Sequence, residues 1–270
     1  MEPIPLRTLT LLLNYERTVS DPRFVGMRLL ESTEADPSLQ QWLVKSTGND
    51  ADGHFKGGPD TVEYVASFLV SMEFAFKPIL IDMSPRSVIK FSINGPFLHV
   101  VTSTPKATGG AGDSNIMTTG AKDKEGHGIL AFPCPGKKDK QQFVVDMTRM
   151  EYGDVGRGTY GENYFLGTLD GYMKSMRSIC VDPELVQTWD ACQTALGSQT
   201  ETRLKACAQR AWEKWQNRES EGWCEHCGKG GKELKRCRGC RMAKVWWCCR
   251  EHQLAGWNLH KHTCERRTDA

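Results

Sequence analysis

The sequence predicts an α+β protein: a mixed N-terminal domain, then a helical segment, then a small metal-stabilised module. Three observations carry this. Helix-period and strand-like stretches alternate through the first hundred residues. Seven of the eleven cysteines crowd into 224–264 with histidines between them, whereas Cys134, Cys180, Cys192 and Cys207 are scattered singly. Charge is uneven as well: residues 218–267 hold twelve Lys/Arg against six Glu, a local +6 in a chain whose formal net charge is +2. At 270 residues the chain has room for one mid-sized domain and a small module.

Taken in order, residues 6–13 are apolar but too short a run for a targeting peptide; Arg7 interrupts them and no small-residue cleavage site follows. A short helix is expected over 37–44, with Asp36 as N-cap and Pro37 at the first helical position. Residues 60–76 place Val62, Val65, Ala66, Leu69, Met72 and Phe76 on one helical face, and Pro78 ends the helix. Glu63, Ser67, Ser71 and Glu73 break this longest apolar stretch, so no membrane span is expected. Strands are expected over 79–82, 87–93 and 97–102, with a turn at Asn94-Gly95-Pro96. Residues 103–128 turn to Gly, Thr, Lys and Asp and read as a long mobile loop.

Strands over 128–132 and 142–146 follow, joined by a Lys-rich turn, and Asp146-Met147-Thr148 reads as a strand end capping a turn. A Gly-rich stretch at 153–161 precedes a helix over about 168–180. Asp182-Pro183-Glu184 has the chemistry to restart a helix, whose pattern runs to about Arg218 with a break near Gly197-Ser198. The domain boundaries drawn are 1–217 for the α+β domain and 218–266 for the module.

Within the module the spacing is Cys224-x2-Cys227, Cys237-x2-Cys240, Cys248-x3-His252 and His260-x3-Cys264. Four pairs suffice for two tetrahedral zinc sites, because a thiolate or imidazole must come within about 2.0–2.3 Å of the ion and a knuckle or helical turn brings both members of a pair that close. A stretch this short cannot build its own core, so metal binding supplies its folding free energy, on the order of 10–16 kcal/mol per structural zinc. The histidines at ligand spacing argue against a disulfide framework, and clustered reduced cysteines point to the cytoplasm, the nucleus or both. Spacing alone leaves open which pairs share an ion. With eight ligands for two ions, no coordination position stays open for catalysis.

The run Trp223-Cys-Glu-His-Cys-Gly-Lys, Arg236-Cys-Arg-Gly-Cys, Val245-Trp-Trp-Cys, His252-Gln253 and Trp257-Asn-Leu-His-Lys-His-Thr-Cys264 resembles a MYND-type zinc finger. The resemblance covers about forty residues and implies interleaved sites, with Cys224, Cys227, Cys248 and His252 on one zinc and Cys237, Cys240, His260 and Cys264 on the other. His252 stands where the family usually has cysteine; imidazole is an acceptable ligand, and Cys249 is the competing donor. His226 and His262 lie between ligands and read as turn and helix residues. The resemblance also implies a protein partner that presents a proline-containing extended peptide. Gln253 and Trp257 would sit in its groove, and the edge Leu234, Lys235 and Arg236 would offer strand-like pairing. The alternative for Trp257 is packing between the two zinc lobes.

Two other function classes compete. Basic residues make nucleic acid a candidate partner, although glutamates interleave with them and no helix presents a contiguous base-reading face. An enzyme in the N-terminal domain is the other. Gly156-x-Gly158-x-x-Gly161, with Asp182 downstream, matches a dinucleotide fingerprint but lacks the strand–helix context and reads as a turn. His127 and Asp146, with Glu162, could line a site, yet no cysteine precedes Cys134 to serve as nucleophile. Fingers of this type also accompany SET-domain methyltransferases, but the chain has no Asn-His pair of the kind those use.

Overall fold

In the computed structural model, the described residues are 4–20, 28–34, 77–94, 114–119, 125–133, 142–186, 198–241 and 243–265. The helices expected over 37–44 and 60–76, and the strand over 97–102, lie outside them.

The chain opens with helix α1 (Leu6–Ser20). Its leucine run, noted in the sequence only as too short for a targeting peptide, buries Leu9, Leu11, Leu12 and Leu13. These neighbours point in different directions around a helix, so α1 is enclosed on more than one side. Strands β1 (Arg28–Glu34), β3 (Ser87–Asn94) and β4 (Ser114–Thr119) make a three-stranded antiparallel sheet in the order β1-β3-β4. Strands β2 (Lys77–Pro85), β5 (Glu125–Pro133), β6 (Gln142–Asp146), β7 (Phe165–Thr168) and β8 (Cys180–Val186) make an antiparallel five-stranded sheet, ordered β7-β6-β5-β2-β8.

Alternation along β5 divides the core between the two faces of this sheet. Leu130 and Phe132 join α1 and helix α3 (Ser198–Gln216), through Ala208, Ala211 and Trp215. Ile129 and Ala131 join Tyr172 and Met176 of helix α2 (Leu169–Met176) on the other face. Glu16, buried on α1, is held by Arg210 at 2.8 Å and Lys214 at 2.6 Å from α3. These ion pairs keep its pKa below the usual value, against the upward push of burial. Cys180 and Cys207 are buried and form no disulfide, as expected of scattered cysteines.

Two expectations are corrected. The span read as a mobile loop, 103–128, contains β4 and the start of β5. Its Ile116, Met117, Thr118 and Thr119 suit a strand, and pairing with β3 outweighs the polar composition around them. The helix expected to restart at Asp182 is strand β8, with Leu80 opposite Val186 and Ile81 opposite Leu185. Capping chemistry is a local preference, and tertiary pairing overrides it. Pro183 cannot donate to a ladder, which an edge strand tolerates.

Candidate metal centre

The C-terminal module is a frame of short elements: β9 (Lys235–Arg236), β10 (Trp246–Trp247) and helix α4 (Arg250–His260). Trp246 pairs with Arg236 and Trp247 with Lys235, and a parallel bridge joins Cys224 to Trp246. Strand β10 is thus covered on both sides, by β9 and by the first knuckle. That knuckle is a tight turn closed by Gly228 N–H donating to the Cys224 carbonyl at 2.8 Å.

This frame assembles two clusters: Cys224, Cys227, Cys248 and His252, and Cys237, Cys240, His260 and Cys264. Within each, all ligand atoms lie within 4.8 Å of one another. Sulfur atoms on one tetrahedral zinc stand about 3.8 Å apart, and a sulfur and a nitrogen about 3.6 Å. The Sγ atoms of Cys227 and Cys248 are 3.8 Å apart and those of Cys240 and Cys264 3.9 Å. His252 Nδ1 lies 3.0 Å from Cys248 Sγ and 3.8 Å from Cys224 Sγ. His260 Nε2 lies 3.3 Å from Cys237 Sγ and 3.4 Å from Cys240 Sγ. Both donor sets therefore fit a zinc ion, in the interleaved pairing, as Cys3His sites.

The electrostatics agree. Three thiols this close cannot all ionise unaided: a hydrogen bond from Cys227 brings Cys224 down to about 4, while Cys227 is pushed far up. A divalent cation removes that conflict. Burial lowers the pKa of His260, favouring the neutral imidazole that ligates.

The donor left open in the sequence resolves for His252. Cys249 is the N-cap of α4, its sulfur accepting from His252 N–H at 3.4 Å. His226 stays outside both clusters, its ring 4.8 Å from that of His252, and exposed His262 joins neither.

The family model of the MYND finger matches residues 224–264. Residues 224–264 are a MYND finger. No curated protein and no solved structure matches the chain. A MYND finger is a zinc-binding protein-interaction module, and its two clusters here fit two structural zinc ions. Among the described residues, no helix is long and apolar enough to cross a membrane.

The two lobes of the MYND finger are placed differently. The first is seated on the N-terminal helices. Trp223 belongs to the same core cluster as Leu11, Leu12 and Trp215. Gly228 has φ +81°, and a Cβ there would stand 2.7 Å from Tyr15 Cβ and 2.9 Å from the Leu11 carbonyl oxygen. Lys214 donates to the Gly228 carbonyl at 3.3 Å and lies 4.2 Å from the centre of the Tyr15 ring. Arg7 bridges from Glu162 at 3.3 Å to the Glu225 carbonyl at 3.5 Å. Sequence reasoning missed this seat, whose one local signal is the glycine after Cys227.

The second lobe carries the residues expected to meet a peptide. Lys235 and Arg236 are exposed on β9, with Leu234 half-buried before them, and β9 is the open edge of its two-stranded sheet. Exposed Gln253 and Trp257 are one turn apart on α4. The Trp257 ring meets His260 edge-on at 5.6 Å. Because His260 Nε2 lies 3.3 Å from Cys237 Sγ, Trp257 and the β9 edge flank the same zinc site. Trp247 fills the interior between the lobes instead: it is 2 % exposed, whereas Trp257 is 37 % exposed. The Trp247 ring packs so closely on α4 that a Cβ on Gly256 would stand 2.3 Å from it.

The candidate residues of the N-terminal domain fall into two separate arrangements. His127 Nε2 is 2.8 Å from Asp146 Oδ2, with the two side chains 2 % and 0 % exposed. The Tyr172 hydroxyl donates to Asp146 Oδ2 at 2.7 Å, and Thr148 N–H to Oδ1 at 2.9 Å, the turn cap expected there. Burial alone would raise the Asp146 pKa, but His127 and these donors hold it at about 2. This is a buried polar network inside the core, which the Tyr152 hydroxyl joins at 3.3 Å from His127 Nδ1. Glu162 lies elsewhere, paired with Arg7 and accepting from Tyr160 N–H at 2.9 Å. The glycine pattern is a turn: Gly161 has φ +84°, and a Cβ on Gly158 would stand 2.2 Å from the Tyr164 carbonyl oxygen. It follows a 3-10 helix (Arg149–Gly156) and leads into β7, so no helix N-terminus is there to receive a pyrophosphate.

Proposed function

We propose that this protein is an intracellular adaptor: residues 1–217 form a folded body, and residues 218–266 a finger that captures a proline-containing extended peptide. The observation that carries this reading is Trp257, a large aromatic 37 % exposed on the zinc-braced helix that packs against β10, the strand whose partner β9 has the open edge. A rigid, half-exposed tryptophan offers a flat face to a proline ring at little entropic cost. The backbone of the peptide would pair along the Leu234, Lys235 and Arg236 edge through the outward polar groups of Arg236, because those of Lys235 face β10, and the outward groups meet no strand partner among the described residues. Gln253, one turn from Trp257, would supply an amide to a peptide carbonyl.

The test is Trp257→Ala in the zinc-loaded full chain, with a fluorescein-labelled ten-residue peptide built around a Pro-x-Pro centre and read by anisotropy. Loss of an aromatic anchor costs about 2 kcal/mol or more, so affinity should fall at least ~10-fold. Zinc content and melting midpoint should not change. Equal affinity of variant and parent would sink the reading.

A further inference from the structure

We infer that the peptide captured by the second zinc lobe is acidic, its Asp or Glu residues flanking the segment that pairs with β9. This rests on the peptide-capture reading above and adds the chemistry of the partner. Residues 229–244 contain seven Lys/Arg and a single acidic residue, Glu233, and every one of those basic side chains is exposed. Two are occupied locally: Arg236 donates to the Arg241 carbonyl at 2.8 Å, and Lys244 pairs with Glu219 at 3.2 Å. Among the described residues no carboxylate pairs with Lys232, Lys235 or Arg238. The second zinc site, three thiolates and an imidazole around Zn2+, offsets only about one of these charges.

Position makes this more than a solvated face. Lys235 and Arg236 are β9 itself, and Lys232 and Arg238 lie within three residues of it. A strand added to that edge would therefore have cations along its length and beyond both its ends. A peptide fits better than nucleic acid, because the surface offers a backbone edge and a standing tryptophan. The neighbouring helix α4 shows Glu251, Gln253, Leu254 and Trp257 to solvent, with Arg250 its one exposed cation. No groove-entering basic helix is presented.

The experiment uses the zinc-loaded full chain and two ten-residue peptides sharing one Pro-x-Pro centre, flanked by Asp/Glu in one and by Asn/Gln in the other. The acidic peptide should bind at least about tenfold more tightly at 20 mM salt, and most of that advantage should vanish at 500 mM salt. The double variant K232E/R238E, which changes the cations beyond the two ends of β9 and leaves the pairing strand itself intact, should abolish most of the advantage while keeping both zinc ions and leaving the neutral peptide's affinity unchanged. Equal binding of both peptides by the parent protein overturns the acidic specificity and leaves peptide capture standing. Binding of neither removes peptide capture, and this inference with it. A twelve-base-pair DNA duplex that binds more tightly than the acidic peptide overturns the inference in favour of a nucleic-acid interface.

Discussion

The two zinc lobes have the same ligand chemistry and opposite surroundings. Both are Cys3His clusters of similar size. The first is built into the α1–α3 core through Trp223, Gly228 and Lys214, and the second shows β9 and Trp257 to solvent. A module that looks self-contained in sequence thus has one half anchoring and one half presenting. The anchored half gives the other a fixed orientation, which would lower the entropic cost of capturing the flexible peptide proposed above.

The largest expected effect separates the lobes directly. Cys227→Ser should lose the first zinc and also uncover Trp223 and Tyr15 on the body. That is comparable to deleting a core side chain, about 3–5 kcal/mol. For a chain of this size the melting midpoint should then fall by roughly 6–20 °C. Cys264→Ser should also lose one zinc, yet leave the main transition in place and cost only the local order of residues 234–265. Zinc content with calorimetry on both variants decides it. Equal global destabilisation, or none in either, would mean that the seat of the first lobe carries no stability.

Next come two glycines, one in each lobe's packing. Gly228→Ala forces a side chain into φ +81° and against the α1 backbone at Leu11. We expect a loss of about 2–4 kcal/mol. Gly256→Ala meets the buried Trp247 ring, an overpacking cost of about 1–3 kcal/mol partly offset by roughly 1 kcal/mol of gained helix propensity. Midpoints in the reverse order would place the tighter packing between the lobes and not at the seat on α1.

The zinc sites were legible in the sequence because metal ligation is short-range chemistry: Cys-x2-Cys and His-x3-Cys state their own geometry. Even the interleaved pairing followed from the resemblance. Strands β2, β3, β5 and β6 were legible too, with hydrophobic periodicity marking them. Strand β8 was not, because Asp182-Pro183-Glu184 carries a genuine local helix-start preference that only pairing with β2 overrides. The seat of the first lobe was equally hidden. Tyr15 and Gly228 are over two hundred residues apart, and neither departs from its local pattern. His127 and Asp146 were picked out as possible chemistry; that they meet as a buried pair, 2.8 Å apart, depends on burial, which sequence does not state.

The smallest effect expected concerns the cysteine beside a ligand. Cys249 holds the N-terminus of α4 by a weak sulfur acceptor, 3.4 Å from His252 N–H. Serine is a better cap, so Cys249→Ser should shift stability by no more than about 0.5 kcal/mol, in either direction, with both zinc ions retained. His252→Ala should instead release the first zinc and reproduce the core loss of Cys227→Ser. A drop to one zinc in Cys249→Ser would make Cys249 the ligand and His252 the cap's partner. The asymmetry has a structural cause: Cys248 and Cys249 are consecutive at the start of a helix, so their side chains diverge. One turns to the ion and the other is left to satisfy a backbone donor of the helix that carries both Trp257 and His260.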